Sequence, residues 1–222
     1  MRVLVAEDDR RIADLLAEAL GGAGFNVVVA TDGEDAWFRG DSEAFDAALL
    51  DLGMPGLDGL SILKRWRKAG RTLPVVIVTA RGNWDERVEG IEAGADDYVS
   101  KPFRVEEVLA RLRAVIRRSS GFASALIEVG NGLTLNTNTM QVMRRGAPVA
   151  LTPQEYRLVA FLAHRRGRVV SQMEIVEHLY AQDFERDSNS VEVLVGRVRK
   201  RLGSDVIRTR RGFGYVLGGD EE

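Results

Sequence analysis

Five positions of this chain carry functional groups that suit one another: the carboxyls of Glu7, Asp8 and Asp51, the hydroxyl of Thr79 and the amine of Lys101. The first four follow or close a short apolar run, residues 3–6 before Glu7-Asp8-Asp9, 47–50 before Asp51 and 75–78 before Thr79, and Lys101 follows the short strand Tyr98-Val99-Ser100. Runs of small and branched residues of this length read as strands buried on both faces of a parallel sheet. In such sheets ligands bind along the rim formed by the carboxyl ends of the strands, and all five groups fall on that rim. Crowded carboxylates need a cation. Hard oxygen donors without nearby His or Cys favour Mg²⁺, which keeps several of its waters. A hydroxyl and an ammonium beside them suit a group with several anionic oxygens, a phosphoryl. Asp51 then reads as a nucleophile that forms an acyl phosphate, with Mg²⁺ and Lys101 neutralising the arriving charge. Taken alone, Asp51 would read as a turn cap; its company gives it chemistry. Asp9 reads as the N-cap of the first helix.

The elements that must hold these groups alternate along the first half. Strands are expected at 3–6, 27–30, 47–51, 74–79 and 98–100. Helices are expected at about 12–20, 33–40, 58–69, 84–94 and 105–118, the third opened by Asp58 as N-cap. Five strand–helix units in series predict an α/β fold, a doubly wound (βα)5 parallel sheet with helices on both faces. The rhythm breaks at Ser119-Ser120-Gly121-Phe122-Ala123-Ser124, a small and polar stretch that reads as a flexible linker. Beyond it come short strands near 133–135 and 141–143. Thr152-Pro153-Gln154-Glu155 then forms a capping box that opens a helix. Helices at about 153–166, 172–180 and 188–202 and a hairpin at 206–217 complete an α+β winged helix-turn-helix pattern. The expected division is 1–118, a linker at 119–125, and 126–219.

Charge divides along the same boundary. Residues 1–118 carry 17 Lys and Arg against 21 Asp and Glu, and residues 119–222 carry 14 against 12. Between Ser188 and Arg211 the basic residues Arg197, Arg199, Lys200, Arg201, Arg208, Arg210 and Arg211 face only Glu192 and Asp205. A basic helix beside a basic Gly-containing turn is a footprint for nucleic acid. Val191, Leu194, Val195 and Val198 form the inward face of that helix, leaving Asn189, Ser190, Arg197 and Arg201 outward with Arg199 and Lys200 at the flank. Arg197 is the candidate for a bidentate guanine contact in the major groove, and Arg199 and Lys200 for phosphates. Arg210 and Arg211 on the hairpin are placed for the adjacent minor groove, and Thr209 beside them is a further candidate DNA contact. The absence of Cys excludes disulfides, and a reducing cytoplasm is the simplest compartment. No apolar stretch approaches the ~20 residues of a membrane span, and the N-terminal run is too short for a signal peptide.

Several motifs together resemble a known family. Val5-Ala6-Glu7-Asp8, Leu50-Asp51-Leu52-Gly53-Met54-Pro55-Gly56-Leu57-Asp58-Gly59, Thr79-Ala80-Arg81, Gly94-Ala95-Asp96-Asp97-Tyr98 and Lys101-Pro102-Phe103 resemble the receiver domain of two-component response regulators. Leu151-Thr152-Pro153-Gln154-Glu155-Tyr156, Val195-Gly196-Arg197-Val198-Arg199-Lys200 and Arg211-Gly212-Phe213-Gly214-Tyr215 resemble the winged-helix effector of the OmpR/PhoB family. Asp51-Leu52-Gly53 and Trp84 lean towards its PhoP-like branch. The resemblance implies that a sensor histidine kinase phosphorylates Asp51. Asp8, Asp51 and the Gly53 carbonyl would bind Mg²⁺, with Glu7 acting through water. Thr79 and Tyr98 would form a switch pair, and Lys101, before a cis Pro102, would hold the phosphoryl oxygens. Gly53 departs from the branched residue usual at its position, although only its carbonyl is required.

The resemblance also implies a phosphorylation-dependent homodimer. Arg87 and Ile91 fall one turn apart, Glu107, Ala110, Arg111 and Arg118 share a helix face, and Asp96 and Asp97 lie between. In the family this face pairs Arg87 with Glu107, Asp97 with Arg111 and Asp96 with Arg118 across the two-fold axis. Paired receivers would set two effectors on tandem half-sites of double-stranded DNA. The alternative is an Mg²⁺-dependent aspartyl phosphatase or phosphotransferase with an accessory C-terminal domain. That chemistry needs a second Asp two residues beyond the nucleophile, where this chain has Gly53.

Overall fold

The apolar runs of the first half become the strands β1 (Arg2–Ala6), β2 (Asn26–Ala30), β3 (Ala47–Leu50), β4 (Val75–Thr79) and β5 (Asp97–Ser100) in a computed structural model that describes residues 1–80, 84–130, 132–180 and 189–218. Arg81, Ser188 and Gly219, and the side chain of Asn189, lie outside the described residues. The strands form one parallel sheet in the order β2-β1-β3-β4-β5. Between them run α1 (Arg10–Gly22), α2 (Gly33–Ser42), α3 (Gly59–Lys68) and α4 (Trp84–Glu92), and α5 (Val105–Ser119) follows β5. This is the (βα)5 sheet expected from the alternating pattern. Every residue of β3 and β4 is buried, as the uninterrupted apolar runs require.

The order of the strands decides where chemistry can occur. The chain winds outward in one direction from β1 to β2 and in the other from β3 to β5, so the crevice opens beyond the ends of β1 and β3. Ala6 and Leu50 are partners in register, which puts Glu7 and Asp51 side by side where these strands stop. The strand ends at Leu50, one residue short of expectation, yet the Asp51 N–H still donates to the Ala6 carbonyl (2.9 Å). The turn that follows returns closely under Asp51. A Cβ on Gly59 would lie 2.0 Å from the Asp51 carbonyl oxygen, so only glycine lets α3 begin there. Asp9 and Asp58 cap α1 and α3, accepting from the backbones of Arg11 and Ser61, as their positions predicted.

Residues 2–119 form one unit, and a second begins at Ser120. The second opens with an antiparallel meander of β6 (Leu126–Gly130), β7 (Leu133–Asn136), β8 (Gln141–Arg144) and β9 (Ala147–Val149). The outer strands β6 and β9 were not anticipated. β9 contains Pro148, which a strand tolerates only at an edge, where no ladder hydrogen bond is lost. Helices α6 (Pro153–Ala163), α7 (Gln172–Leu179) and α8 (Asn189–Leu202) follow, then the wing hairpin β10 (Ile207–Arg210) and β11 (Gly214–Leu217). The Thr152/Glu155 capping box opens α6. Leu158, Phe161, Val195, Val198, Ile207 and Leu217 belong to one apolar core. The wing is clamped by pairing of Val170 with Tyr215; a Cβ on Gly214 would lie 2.0 Å from the Val170 carbonyl oxygen. Ser120 and Phe122 are not left loose. The Ser120 Oγ lies 3.0 Å from His164 Nδ1, and Phe122 meets the same imidazole edge-on, its ring packed against the apolar core.

Among the described residues, no helix is long and apolar enough to cross a membrane.

Candidate functional site

Five groups gather at the crevice. Glu7, Asp51 and Thr79 are buried, and Asp8 is exposed at its mouth. The Lys101 ammonium donates to Asp51 Oδ2 at 2.6 Å and to Glu7 Oε1 at 2.8 Å. The other Asp51 oxygen, Oδ1, accepts the Gly53 N–H at 2.9 Å. The Lys101 N–H donates to the Thr79 carbonyl (2.8 Å), fixing the last strand end against the fourth. The Lys101–Pro102 peptide is cis.

The electrostatics follow from this crowding. Burial pushes the Glu7 carboxyl above its usual range, and the hydrogen bond from Lys101 pulls part of the way back. Burial alone would lower Lys101, but its bonds to Asp51 and Glu7 outweigh that and hold the ammonium above its ordinary value. Two of the three carboxyls, those of Glu7 and Asp51, meet the ammonium directly. One oxygen each from Glu7, Asp8 and Asp51 lie within 4.8 Å of one another, an all-oxygen donor set without His or Cys. Such a set fits a hard divalent cation, and the exposure of Asp8 leaves room for the waters that Mg²⁺ retains.

The remaining positions predicted for the first unit lie along β4, β5, α4 and α5. Register pairs Ile77 with Tyr98 and Thr79 with Ser100, so Thr79 and Tyr98 sit on one face of the sheet. The Tyr98 ring is buried, with the Arg87 guanidinium 5.8 Å from its centroid. Arg87, Ile91, Asp96, Glu107, Ala110 and Arg118 are exposed, and Asp97 and Arg111 half-buried. Arg111 already pairs within the protomer, with Asp97 at 2.9 Å and Glu107 at 2.8 Å. Both acids hold its guanidinium above the ordinary value, Glu107 foremost.

On the second unit, α8 turns Val191, Leu194, Val195 and Val198 inward as predicted and exposes Glu192, Val193, Gly196, Arg197, Lys200 and Arg201. Arg197, Lys200, Arg210 and Arg211 are exposed, and their side chains make no hydrogen bond or ion pair among the described residues. Three other positions behave differently from expectation. The Ser190 hydroxyl is shielded from solvent rather than turned outward, because the first turn of α8 lies against the core. Arg199 donates to the Ile207 carbonyl (2.9 Å) and to Thr209 Oγ1 (2.8 Å), tying helix to wing. Arg201 pairs with Glu155 (3.2 Å) and donates to the Ala150 carbonyl (2.8 Å). Its reach backward to α6 was invisible in helix periodicity. Two exposed apolar side chains on the same surfaces were missed: Val193, one turn before Arg197, and Phe213 at the wing tip. Their signal was an apolar residue on a face otherwise polar.

Residues 3–113 match the response regulator receiver domain, and residues 146–217 match the C-terminal domain of transcriptional regulatory proteins. The chain belongs to the two-component response regulators, with a receiver followed by a DNA-binding effector of the OmpR/PhoB type. It is 45% identical over 221 residues to the two-component response regulator PhoP of Pseudomonas aeruginosa, covering 98% of each chain. It is 44% identical to the transcriptional regulatory protein QseB of Escherichia coli O157:H7, over 98% of this chain and 99% of that one. The receiver domain of the Francisella response regulator 1452 superposes with a TM-score of 0.52 at 36% identity, covering 53% of this chain and 98% of that one.

Proposed function

We propose that Asp51 is the phosphoacceptor of this regulator and that phosphorylation gates its dimerisation and its binding to DNA. The observation that carries the reading is the Lys101 ammonium bridging Asp51 and Glu7 beside Asp8. An Asp51 carboxylate oxygen attacks phosphorus, an O–P bond forms, and the P–N bond to the kinase's phosphohistidine breaks, its electron pair leaving with the imidazole. Asp8, Asp51 and the Gly53 carbonyl would hold Mg²⁺, with Glu7 acting through water. When bound, the ion neutralises charge on the phosphoryl oxygens. Lys101, already bonded to Asp51 Oδ2, stands beside the carboxyl that would bear the phosphoryl, where its ammonium can meet the new charge on the phosphoryl oxygens. Thr79 supplies a hydroxyl to the phosphoryl, and Tyr98 reports the change to the α4–β5–α5 face.

The domain limits are 1–118 for the receiver, 119–125 for the connection and 126–219 for the effector. A sensor histidine kinase, a second copy of this chain and tandem half-sites on double-stranded DNA are the partners, and the cytoplasm is the compartment. Gly53 offers no carboxyl to act as the acid of a phosphatase, which favours a regulator over an enzyme.

Intact-mass measurement after treatment with a small-molecule phosphodonor and Mg²⁺ tests the assignment. One phosphoryl is expected on the native chain and none on Asp51→Asn, whose amide is a poor nucleophile. A chelator should stop labelling of the native chain. Equal labelling of Asp51→Asn would overturn the reading.

A further inference from the structure

Asp96 is one of the charged residues of the α4–β5–α5 face, yet the groups that hold its carboxylate come from outside that face. Its Oδ2 accepts the Val75 N–H at 2.8 Å and faces a guanidinium nitrogen of Arg67 at 3.4 Å. Arg67 stands in the last turn of α3, and its planar fork reaches three acceptors at once. Two of its nitrogens donate to the Gly94 carbonyl at 3.1 and 2.8 Å, and a third to the Arg71 carbonyl at 2.9 Å. The side chain is half-buried and lies across the Gly94-Ala95-Asp96 turn that joins α4 to β5. A second tie runs alongside, from Lys64 of α3 to Glu89 of α4 at 2.9 Å. No described residue donates to the other carboxylate oxygen of Asp96, whose side chain is exposed, while its backbone carbonyl accepts from Arg118 of the same protomer at 3.3 Å.

We propose that Arg67 is a positioning residue for dimerisation: it fixes the α4–β5 turn from behind, so that Asp96 is presented to Arg118 of the partner subunit. This rests on the reading of the α4–β5–α5 face as the dimer surface. The physical case is preorganisation. A turn already pinned by a bridging guanidinium has less freedom to lose when the two copies meet, so more of the charge complementarity appears as affinity. Arg suits the task because one rigid fork spans carbonyls and carboxylate, which a single ammonium cannot do.

The test uses the full chain with Mg²⁺ and beryllofluoride as the phosphoryl mimic, with the dimer constant read by sedimentation equilibrium. Arg67→Ala should weaken the dimer by about tenfold. Labelling of Asp51 by a small phosphodonor should stay within about twofold of the native rate, because Arg67 touches nothing in the pocket. Arg67→Lys, which keeps the charge but only one donor nitrogen, should fall between, and serves alone if Arg67→Ala fails to fold. In an Asp96→Asn background, Arg67→Ala should add nothing further, since the two act through one contact. A purely structural Arg67 would lower the melting temperature and leave the dimer constant unmoved, and that result, or additive effects in the double variant, would overturn the proposal. Arg111→Glu separates the two levels. If it abolishes dimerisation while Arg67→Ala does not, only the role of Arg67 is lost; if Arg111→Glu has no effect, the face itself is wrong and the proposal falls with it.

Discussion

In the receiver crevice, one ammonium lies within 2.8 Å of two buried carboxylates. On α8 and the wing, the side chains of Arg197, Lys200, Arg210 and Arg211 stand exposed and make no hydrogen bond or ion pair among the described residues. The first arrangement is a desolvated cluster in which every charge depends on its neighbours. Coulomb interactions strengthen as water is excluded, and removing one member leaves the others unbalanced. The second is a solvated array in which each charge acts nearly alone. Its interaction with a polyanion is screened, graded and sensitive to salt. On the function proposed above, one chain uses charge for covalent chemistry at one site and for reading a surface at the other. Substitutions should be close to all-or-none at the first and incremental at the second.

Lys101→Ala is the severest challenge to that contrast after the loss of Asp51 itself. Removal of one preorganised cationic donor should slow labelling by about 100-fold. It should also destabilise the unit by about 3 kcal/mol, because Glu7 and Asp51 are left facing each other in a buried site. Added Mg²⁺ should restore part of that stability by supplying the missing positive charge. Denaturant titration with and without the ion measures both effects, and a variant as stable as the native chain in the absence of metal would break the comparison.

Arg197→Ala sharpens the other side. It should cost about 1–3 kcal/mol on specific DNA and relax one base position, while random DNA is bound almost as before. If specific and random DNA weaken alike, α8 is not the reader and the wing carries specificity. Lys200→Ala should produce the smallest effect. All sequences should weaken together, with the slope of log K against log salt reduced by about one. A change in sequence preference without a change in slope would show that Lys200 reads bases.

The legibility of the sequence differed between the two regions for the same reason that their energetics differ. Strands β1, β3 and β4 were readable because burial on both faces permits only apolar residues, and the polar residues at their ends stand out against that background. Caps at Asp9, Asp58 and Thr152 were readable because the partner of a capping side chain lies two or three residues away. The inward stripe of α8 followed from its period.

What the amino-acid order determined by itself was therefore whatever depends on neighbours along the chain: the alternation of elements, the rim on which Glu7, Asp8, Asp51, Thr79 and Lys101 would fall, and the basic stretch of the second unit. Tertiary structure decided which charges remain available. Arg199 is held by Thr209 of the wing, Arg201 by Glu155 of α6, and Arg67 by Gly94 and Asp96 across the α4–β5 turn. Long, flexible cationic side chains find acceptors on elements distant in sequence, and no local pattern encodes that reach. The edge strands β6 and β9 emerged in the same way, since an edge needs only one partner and shows only a weak apolar pattern of its own.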